Sequence, residues 1–155
     1  MVEDFPEEII DTPETPAASN LFNVRYNNDQ ELLDNTRDQP FHHTVARLIF
    51  TGIRCRKDAQ TAIAFLMMRV RKPDEEDWKK LRRLLMCIKR KMKLPLILRA
   101  DGVNVLKLWV DASYAAHDNM QGHTRGNMSM RKYGHGSIIS ISKKQKLNTK
   151  ILTGA

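Results

Sequence analysis

The spacing of apolar residues changes at Pro95, and this change constrains the fold more than any other feature of the sequence. Before this proline, apolar residues recur every three or four positions, which predicts helices. After it, apolar residues alternate with polar ones, a pattern typical of strands. In a chain of 155 residues, this order predicts an α+β fold, with a three-helix segment followed by a short antiparallel meander.

Three helices are predicted within residues 39–95. The first covers residues 41–53, where the apolar positions follow one helical face. The second follows Asp58, a candidate N-cap, and is apolar on nearly all sides over residues 62–68, which indicates a buried helix. The third begins after Asp74, which can cap it. Its apolar stripe consists of Trp78, Leu81, Leu84, Leu85, Ile88 and Met92.

Beyond Pro95 the alternating residues predict strands joined by short turns. A short candidate strand comes first, and an antiparallel meander of three further strands follows. The candidate strands cover residues 96–99, 106–115, 126–131 and 137–142, with turns at 101–102, 119–122 and 133–136. Leu106, Leu108 and Val110 need a covering layer, so we expect the meander to fold only marginally by itself.

The charge of the chain is divided unequally between its two ends. Residues 1–38 hold ten acidic and two basic side chains, with three prolines, and are predicted to form an acidic, disordered linker. The remaining 117 residues hold 24 basic and eight acidic side chains. A charge density of this size attracts polyanions, with nucleic acid as the first candidate and an anionic membrane surface as the second.

The basic residues concentrate on two segments that are candidates for nucleic-acid contacts. In the third helix they occupy the side opposite the apolar stripe, which favours sequence-independent binding to phosphates. The alternative is a solvated helix surface. The candidate contact residues are Lys79, Lys80, Arg82, Arg83, Lys89 and Arg90 on this helix and Lys143, Lys144 and Lys146 near the end of the meander.

Several other classes of protein are disfavoured by the sequence. The longest apolar run, residues 62–68, is too short for the roughly 20 residues of a membrane span. The acidic N-terminus does not resemble a targeting peptide, so we expect an intracellular protein, cytoplasmic or nuclear, with no membrane partner. Cys55 and Cys87 are predicted to be buried, reduced thiols. The five histidines show no metal-ligand spacing, and His117, His123 and His135 fall near predicted turns.

Asp111 interrupts an otherwise apolar and aromatic strand. It has two interpretations, an exposed residue on a polar strand face or a metal carboxylate on the first strand of a nuclease. In the second case two magnesium ions would activate water and stabilise the leaving oxygen of a phosphodiester. Such a site needs about four carboxylates, and after Asp111 the sequence offers only Asp118.

Two sets of residues carry a resemblance to a known family. Residues 109–115, Trp-Val-Asp-Ala-Ser-Tyr-Ala, with His123-Thr124 and residues 144–150, Lys-Gln-Lys-Leu-Asn-Thr-Lys, closely resemble the start of the ribonuclease H domain in Pol polyproteins of copia-type retrotransposons. Further likeness extends to the segment that joins the reverse transcriptase to that domain in this family. It includes Phe41-His42-His43, residues 58–62 and residues 73–81, Pro-Asp-Glu-Glu-Asp-Trp-Lys-Lys-Leu.

The resemblance implies a helical connection segment over residues 39–95 and a truncated ribonuclease H-like domain over residues 96–155. Asp111 matches the first ribonuclease H carboxylate of the family, while Gly154 stands where the next is expected. The polymerase aspartates of the family are missing from the sequence. The resemblance therefore implies a catalytically incomplete fragment that is not an enzyme, with magnesium a cofactor of the parent only.

The partner implied by the resemblance is nucleic acid, bound without sequence preference, which is an RNA/DNA hybrid in the parent polyprotein. Two alternatives remain open at this point. The chain could be a non-enzymatic basic module that binds nucleic acid, or a protein-interaction fragment that docks another chain through an exposed sheet face.

Overall fold

The computed structural model describes residues 5–9, 13–24, 31–98, 105–117, 119–130 and 136–146. The fold is α+β, with three helices followed by a three-stranded antiparallel sheet, which confirms the predicted class and order. The chain divides into two compact units, Met1–Pro95 and Leu96–Ala155, at the point where the apolar spacing changes. The elements are α1 (Asn35–Arg54), α2 (Gln60–Arg69), α3 (Glu75–Arg90), β1 (Lys107–Ser113), β2 (His123–Ser129) and β3 (Ile139–Lys144).

Helix α1 begins six residues before its predicted start. The Asp34 side chain caps it by accepting a hydrogen bond from the Arg37 backbone N–H, with an N–O distance of 3.1 Å. The first turns are polar and include Pro40. They carry no apolar periodicity, so the sequence pattern detected only the buried part of this helix, which includes Phe41, Val45 and Leu48.

Asp58 was predicted to cap α2, and this prediction is wrong. Asp58 lies in a 3₁₀ turn, Lys57–Ala59, and its carboxylate accepts hydrogen bonds from Arg56 Nε at 2.9 Å and Nη2 at 2.7 Å. The Arg56 residue is buried, so its guanidinium needs this partner. The same contact lowers the pKa of Asp58 below its ordinary value.

Helix α3 is capped by Asp74, as the sequence predicted, and the structure shows that this cap is a reciprocal capping box with Asp77. The Asp74 carboxylate accepts from the Asp77 backbone N–H at 2.8 Å, and the Asp77 carboxylate accepts from the Asp74 N–H at 3.3 Å. Asp77 is buried, and its partner is Arg69, whose Nε donates to Asp77 Oδ2 at 2.7 Å. Burial raises the pKa of Asp77, while Arg69 acts in the opposite direction.

The predicted apolar stripe of α3 is buried except at its end. Met92 is two-thirds exposed because the helix ends at Arg90, before this residue. The stripe packs into one core that also takes side chains from α1 and α2. The buried residues of α3 in this core are Trp78, Leu81, Leu84, Leu85 and Ile88.

The acidic N-terminus was predicted to be a disordered linker, but its described residues pack on the helical core. We call residues 5–9 and 13–24 the N-terminal strap. Its apolar side chains Phe5, Ile9 and Leu21 are buried in the core. The Phe5 ring stacks on Trp78 with centroids 4.7 Å apart, and the Trp78 indole N–H donates to Glu7 Oε1 at 2.6 Å. Three widely spaced apolar residues give no periodic signal, which explains the difference.

The strands form one sheet in the order β1-β2-β3, and both pairs are antiparallel. Val110 pairs with Gly126, which pairs with Ile141. Cross-strand partners share a face, so one face of this sheet is apolar. Four of its large side chains are at least half exposed, at 66% for Leu108, 64% for Val110, 50% for Ile139 and 56% for Ile141. Met128, which pairs with Leu108 and Ile139, is partly buried.

The opposite face of the sheet is polar and better covered. His123, Ser129 and Ser140 are buried there.

Residues 96–98 form no strand, contrary to the prediction. Gly136, which has a φ of 46°, passes so close to the Ile97 carbonyl oxygen that an added Cβ would lie 2.1 Å from it.

Some predicted features lie outside the described residues. They are the turn at 101–102, most of the turn at 133–136, Asp118, His135, and the part of the family-like stretch from residue 147 onward.

Replacing Arg69 by methionine should lower the free energy of unfolding of the helical unit by about 3 kcal/mol at neutral pH. This variant keeps the volume of the side chain but leaves the buried Asp77 carboxylate without its charge partner. The control is Arg71→Met, which removes the same charge at an exposed position. Chemical denaturation followed by helical circular dichroism measures both. Equal stability of the two variants would contradict the role of the Arg69–Asp77 pair.

Candidate nucleic-acid interface

The six predicted cations of α3 do not share one environment. Lys79, Lys89 and Arg90 are exposed, whereas Lys80, Arg82 and Arg83 are half-buried. Lys79 Nζ donates to Glu76 Oε1 at 2.7 Å, an ion pair within one turn of the helix. The reason for the uneven exposure is the N-terminal strap, which lies against the helix.

The first part of the strap contacts two of these cations. Arg82 Nη2 donates to the Glu8 carbonyl oxygen at 3.4 Å, and Arg82 Nε lies 3.3 Å from Glu7 Oε2. Lys89 Nζ donates to the Ile9 carbonyl oxygen at 2.8 Å. Residues 5–9 therefore occupy the side of α3 that carries Trp78, Arg82 and Lys89.

The second part of the strap contacts cations further around the helix. Arg83 Nη2 donates to Thr15 Oγ1 at 3.0 Å, and Arg90 Nη2 lies 3.8 Å from Glu14 Oε1. Lys91, which follows the helix and was not among the predicted contact residues, donates from Nζ to the Glu14 carbonyl oxygen at 2.6 Å. The strap thus covers much of the surface that the sequence assigned to nucleic acid.

Lys80 belongs to the interior rather than to the basic face. Its Nζ donates to the Asn23 carbonyl oxygen at 2.6 Å and lies 4.6 Å from the centre of the Phe65 ring. Burial lowers the pKa of Lys80, and the nearby Asp77 carboxylate, 3.9 Å from Nζ, opposes this shift. The sequence missed this because a lysine can lay its long apolar stem along the core from a boundary position.

An open cleft of about 220 Å³ remains between the strap and α3. Lys79, Lys80 and Arg83 line one side together with Glu76, and residues 16–18, 20 and 21 line the other. Every cation in this cleft already contacts an oxygen of the chain.

The second predicted basic segment does not form a single patch. Lys143 and Lys144 are consecutive in β3, so their side chains project from opposite faces of the sheet. Lys143 pairs with Thr124 and Lys144 with His123. Lys146 is exposed beyond the strand.

Asp111 lies at the centre of β1, where the sequence predicted it, and its side chain is exposed. It pairs with Arg125 across the sheet and shares the polar face with Trp109 and Ser113. Within the described ranges, no cluster of three or more His, Cys, Asp or Glu side chains is arranged to hold a metal ion. Asp111 therefore belongs to no such cluster among the described residues.

Two buried histidines form a contact that the sequence did not reveal. His117 Nε2 lies 3.1 Å from His123 Nδ1, and His123 Nε2 lies 2.7 Å from Ser142 Oγ. Burial lowers the pKa of His123, which favours the neutral ring. A spacing of six residues carries no pattern by itself, because the contact arises only when the β1–β2 hairpin closes.

No family model, curated protein or solved structure matches this chain. In the part of the chain that the structure describes, no helix is both long and apolar enough to cross a membrane. Functional assignment therefore depends on the residues themselves and on their placement in the two units.

The stability of the sheet unit should fall as the pH decreases below about 6.5. The pKa of His123 is lower in the folded chain than its ordinary value of 6.5, so the unfolded chain takes up the proton first. The stabilisation from neutral His123 is complete above 6.5 and is lost as the pH falls through the folded pKa.

Amide-exchange protection factors in β1–β3 at about pH 7.5 and about pH 5.5 measure this effect on either side of the histidine range. A His123→Gln variant should lose the pH dependence, while His43→Gln, at an exposed position of α1, should retain it. Equal protection of the wild-type sheet at both pH values would show that the buried histidine pair does not control its stability.

Proposed function

We propose that this chain is a segment of a copia-type retrotransposon Pol polyprotein. In this proposal the helical unit is the connection that follows the reverse transcriptase, and the sheet unit is the beginning of a ribonuclease H-like domain. The segment binds nucleic acid and does not cleave it.

The position of Asp111 carries the proposal. The family-like sequence of residues 109–115 falls on the first strand of a three-stranded antiparallel meander, and Asp111 is its central residue. A meander with a carboxylate on its first strand is the expected start of a ribonuclease H-like domain. The helical unit precedes it, and the two units meet at residues 95 and 96, where the resemblance places the domain boundary.

Cleavage by this segment alone is not expected. Two-metal hydrolysis needs carboxylates on both sides of a pair of ions about 4 Å apart, and Asp111 is the only residue that matches the family's carboxylates. The proposed contribution of the segment is therefore electrostatic. Lys79, Lys89 and Arg90 are the exposed predicted cations on α3, and they lie within three turns of one helix.

An RNA/DNA hybrid incubated with the chain and magnesium should remain intact, to the same extent as with Asp111→Asn. The readout is the length of a labelled RNA strand on a denaturing gel, with manganese as a second metal. Metal-dependent cleavage by the wild type that disappears in Asp111→Asn would overturn the non-catalytic part of the proposal.

Binding to an RNA/DNA hybrid or a single strand should be independent of sequence and should weaken steeply with salt. Each phosphate contact contributes roughly 0.7 to 0.9 to the slope of log affinity against log salt. The double variant Lys79→Ala/Arg90→Ala should reduce both affinity and slope. The matched control, Arg54→Ala/Arg71→Ala, removes the same charge from exposed positions elsewhere in the helical unit.

Fluorescence anisotropy with a labelled oligonucleotide, from about 50 to about 200 mM salt, measures these slopes. Equal losses in the two double variants would show that the binding follows net charge and not the α3 surface. Absence of binding by the wild type at the lowest salt would remove the binding function altogether.

A further inference from the structure

We propose that the N-terminal strap is a displaceable cover, which competes with nucleic-acid phosphates for the cations of α3. This inference rests on the proposed binding of nucleic acid and adds its regulation. In the covered state the strap contacts Arg82, Arg83, Lys89 and Arg90, and binding of nucleic acid to these residues requires the strap to leave.

The ligands that the strap offers to the cations are mostly neutral. Arg82 and Lys89 donate to backbone carbonyl oxygens, and Arg83 donates to the Thr15 hydroxyl. The two charged partners are Glu7, near Arg82, and Glu14, near Arg90. A phosphate oxygen carries formal charge and makes shorter, stronger hydrogen bonds with the same donors. Exchange of these neutral strap oxygens for phosphates therefore improves the electrostatic partner of Lys89 and Arg83.

The cover also buries two guanidinium nitrogens that make no hydrogen bond, Arg82 Nε and Arg83 Nε. Arg82 Nε forms an ion pair with Glu7 Oε2 at 3.3 Å, which compensates part of this loss. Arg83 Nε has lost its water without a hydrogen bond in exchange. Departure of the strap returns both guanidinium groups to solvent or to phosphate.

Apolar contacts hold the strap in place. Phe5, Ile9 and Leu21 are buried, and Phe5 stacks on Trp78. The described strap residues form bends and turns, so their release breaks no helix or strand. A segment held by a few side chains opens at a lower cost than the core elements that it covers.

A variant that weakens the apolar anchor tests the competition in the full chain. Phe5→Ala removes the stacking on Trp78 and should bind a labelled single-stranded oligonucleotide at least about fivefold more tightly than the wild type, because a larger fraction is already uncovered. Phe50→Ala is the matched control, since Phe50 is 67% exposed on α1. Its affinity should equal that of the wild type.

A second variant tests the proposal even if Phe5→Ala fails to fold. Glu7→Gln/Glu14→Gln removes the strap charges that face Arg82 and Arg90 but keeps every apolar anchor and the acceptor for the Trp78 indole. It should also tighten binding. Unchanged affinity in both strap variants would overturn the competition.

The thiols report the position of the strap directly. Cys87 is buried, as predicted, with Sγ 3.7 Å from the Glu14 carbonyl oxygen. Cys55 is exposed, contrary to the prediction. A saturating oligonucleotide should accelerate alkylation of Cys87 and leave that of Cys55 unchanged. Phe5→Ala should accelerate alkylation of Cys87 without any oligonucleotide.

The outcomes separate this proposal from the binding function. If the oligonucleotide binds, and Lys79→Ala/Arg90→Ala weakens it, but the alkylation of Cys87 does not change, the strap remains in place and the cover proposal is wrong while binding stands. If neither the wild type nor the strap variants bind at about 50 mM salt, both proposals are wrong.

Discussion

The helical unit depends on the burial of α3 from more than one direction. Its apolar stripe packs with α1 and α2, and its Trp78 side is covered by the strap. The buried Asp77 carboxylate at its start requires Arg69 from α2, so the polar cap of one helix fixes its position against another. A helix enclosed in this way cannot expose all its cations to solvent. Some of them contact the rest of the chain, and the others remain accessible to a partner.

The sheet unit differs from the helical unit in which side chains it buries. Its polar face holds the buried side chains, including His123 and Ser140, whereas its apolar face is open. Hydrogen bonds between strands and the contact between His117, His123 and Ser142 hold this unit together. None of its described residues belongs to the apolar core that supports the helices. Burial of neutral His123 therefore contributes to a unit with little apolar burial of its own.

The sequence predicted the class, the order of elements and the α3 cap because these depend on periodicity and on local hydrogen bonds. Asp74 directly precedes the helical pattern, and Asp111 is surrounded by strand residues, so both positions could be predicted from their neighbours in the sequence. The strap could not be predicted in this way, because Phe5, Ile9 and Leu21 show their role only through tertiary contacts with Trp78 and the core. Lys80 was assigned to the basic face because the sequence shows that a residue is charged but not whether its side-chain amine reaches solvent. Strand limits differ from the predicted ones by one to three residues, and the largest difference is at β2, which begins with the polar residues His123 and Thr124.

The two edge strands of the sheet affect the behaviour of the chain at high concentration. In a three-stranded sheet β1 and β3 are both edges, and each carries exposed β-branched or large apolar residues, among them Val110 on β1 and Ile139 and Ile141 on β3. Such edges can pair with strands of another molecule. Lys107, Lys143 and Lys144 flank these residues and repel a second copy, and the repulsion is screened by salt. Self-association should therefore increase with ionic strength, so a buffer that weakens contacts with phosphates also favours aggregation.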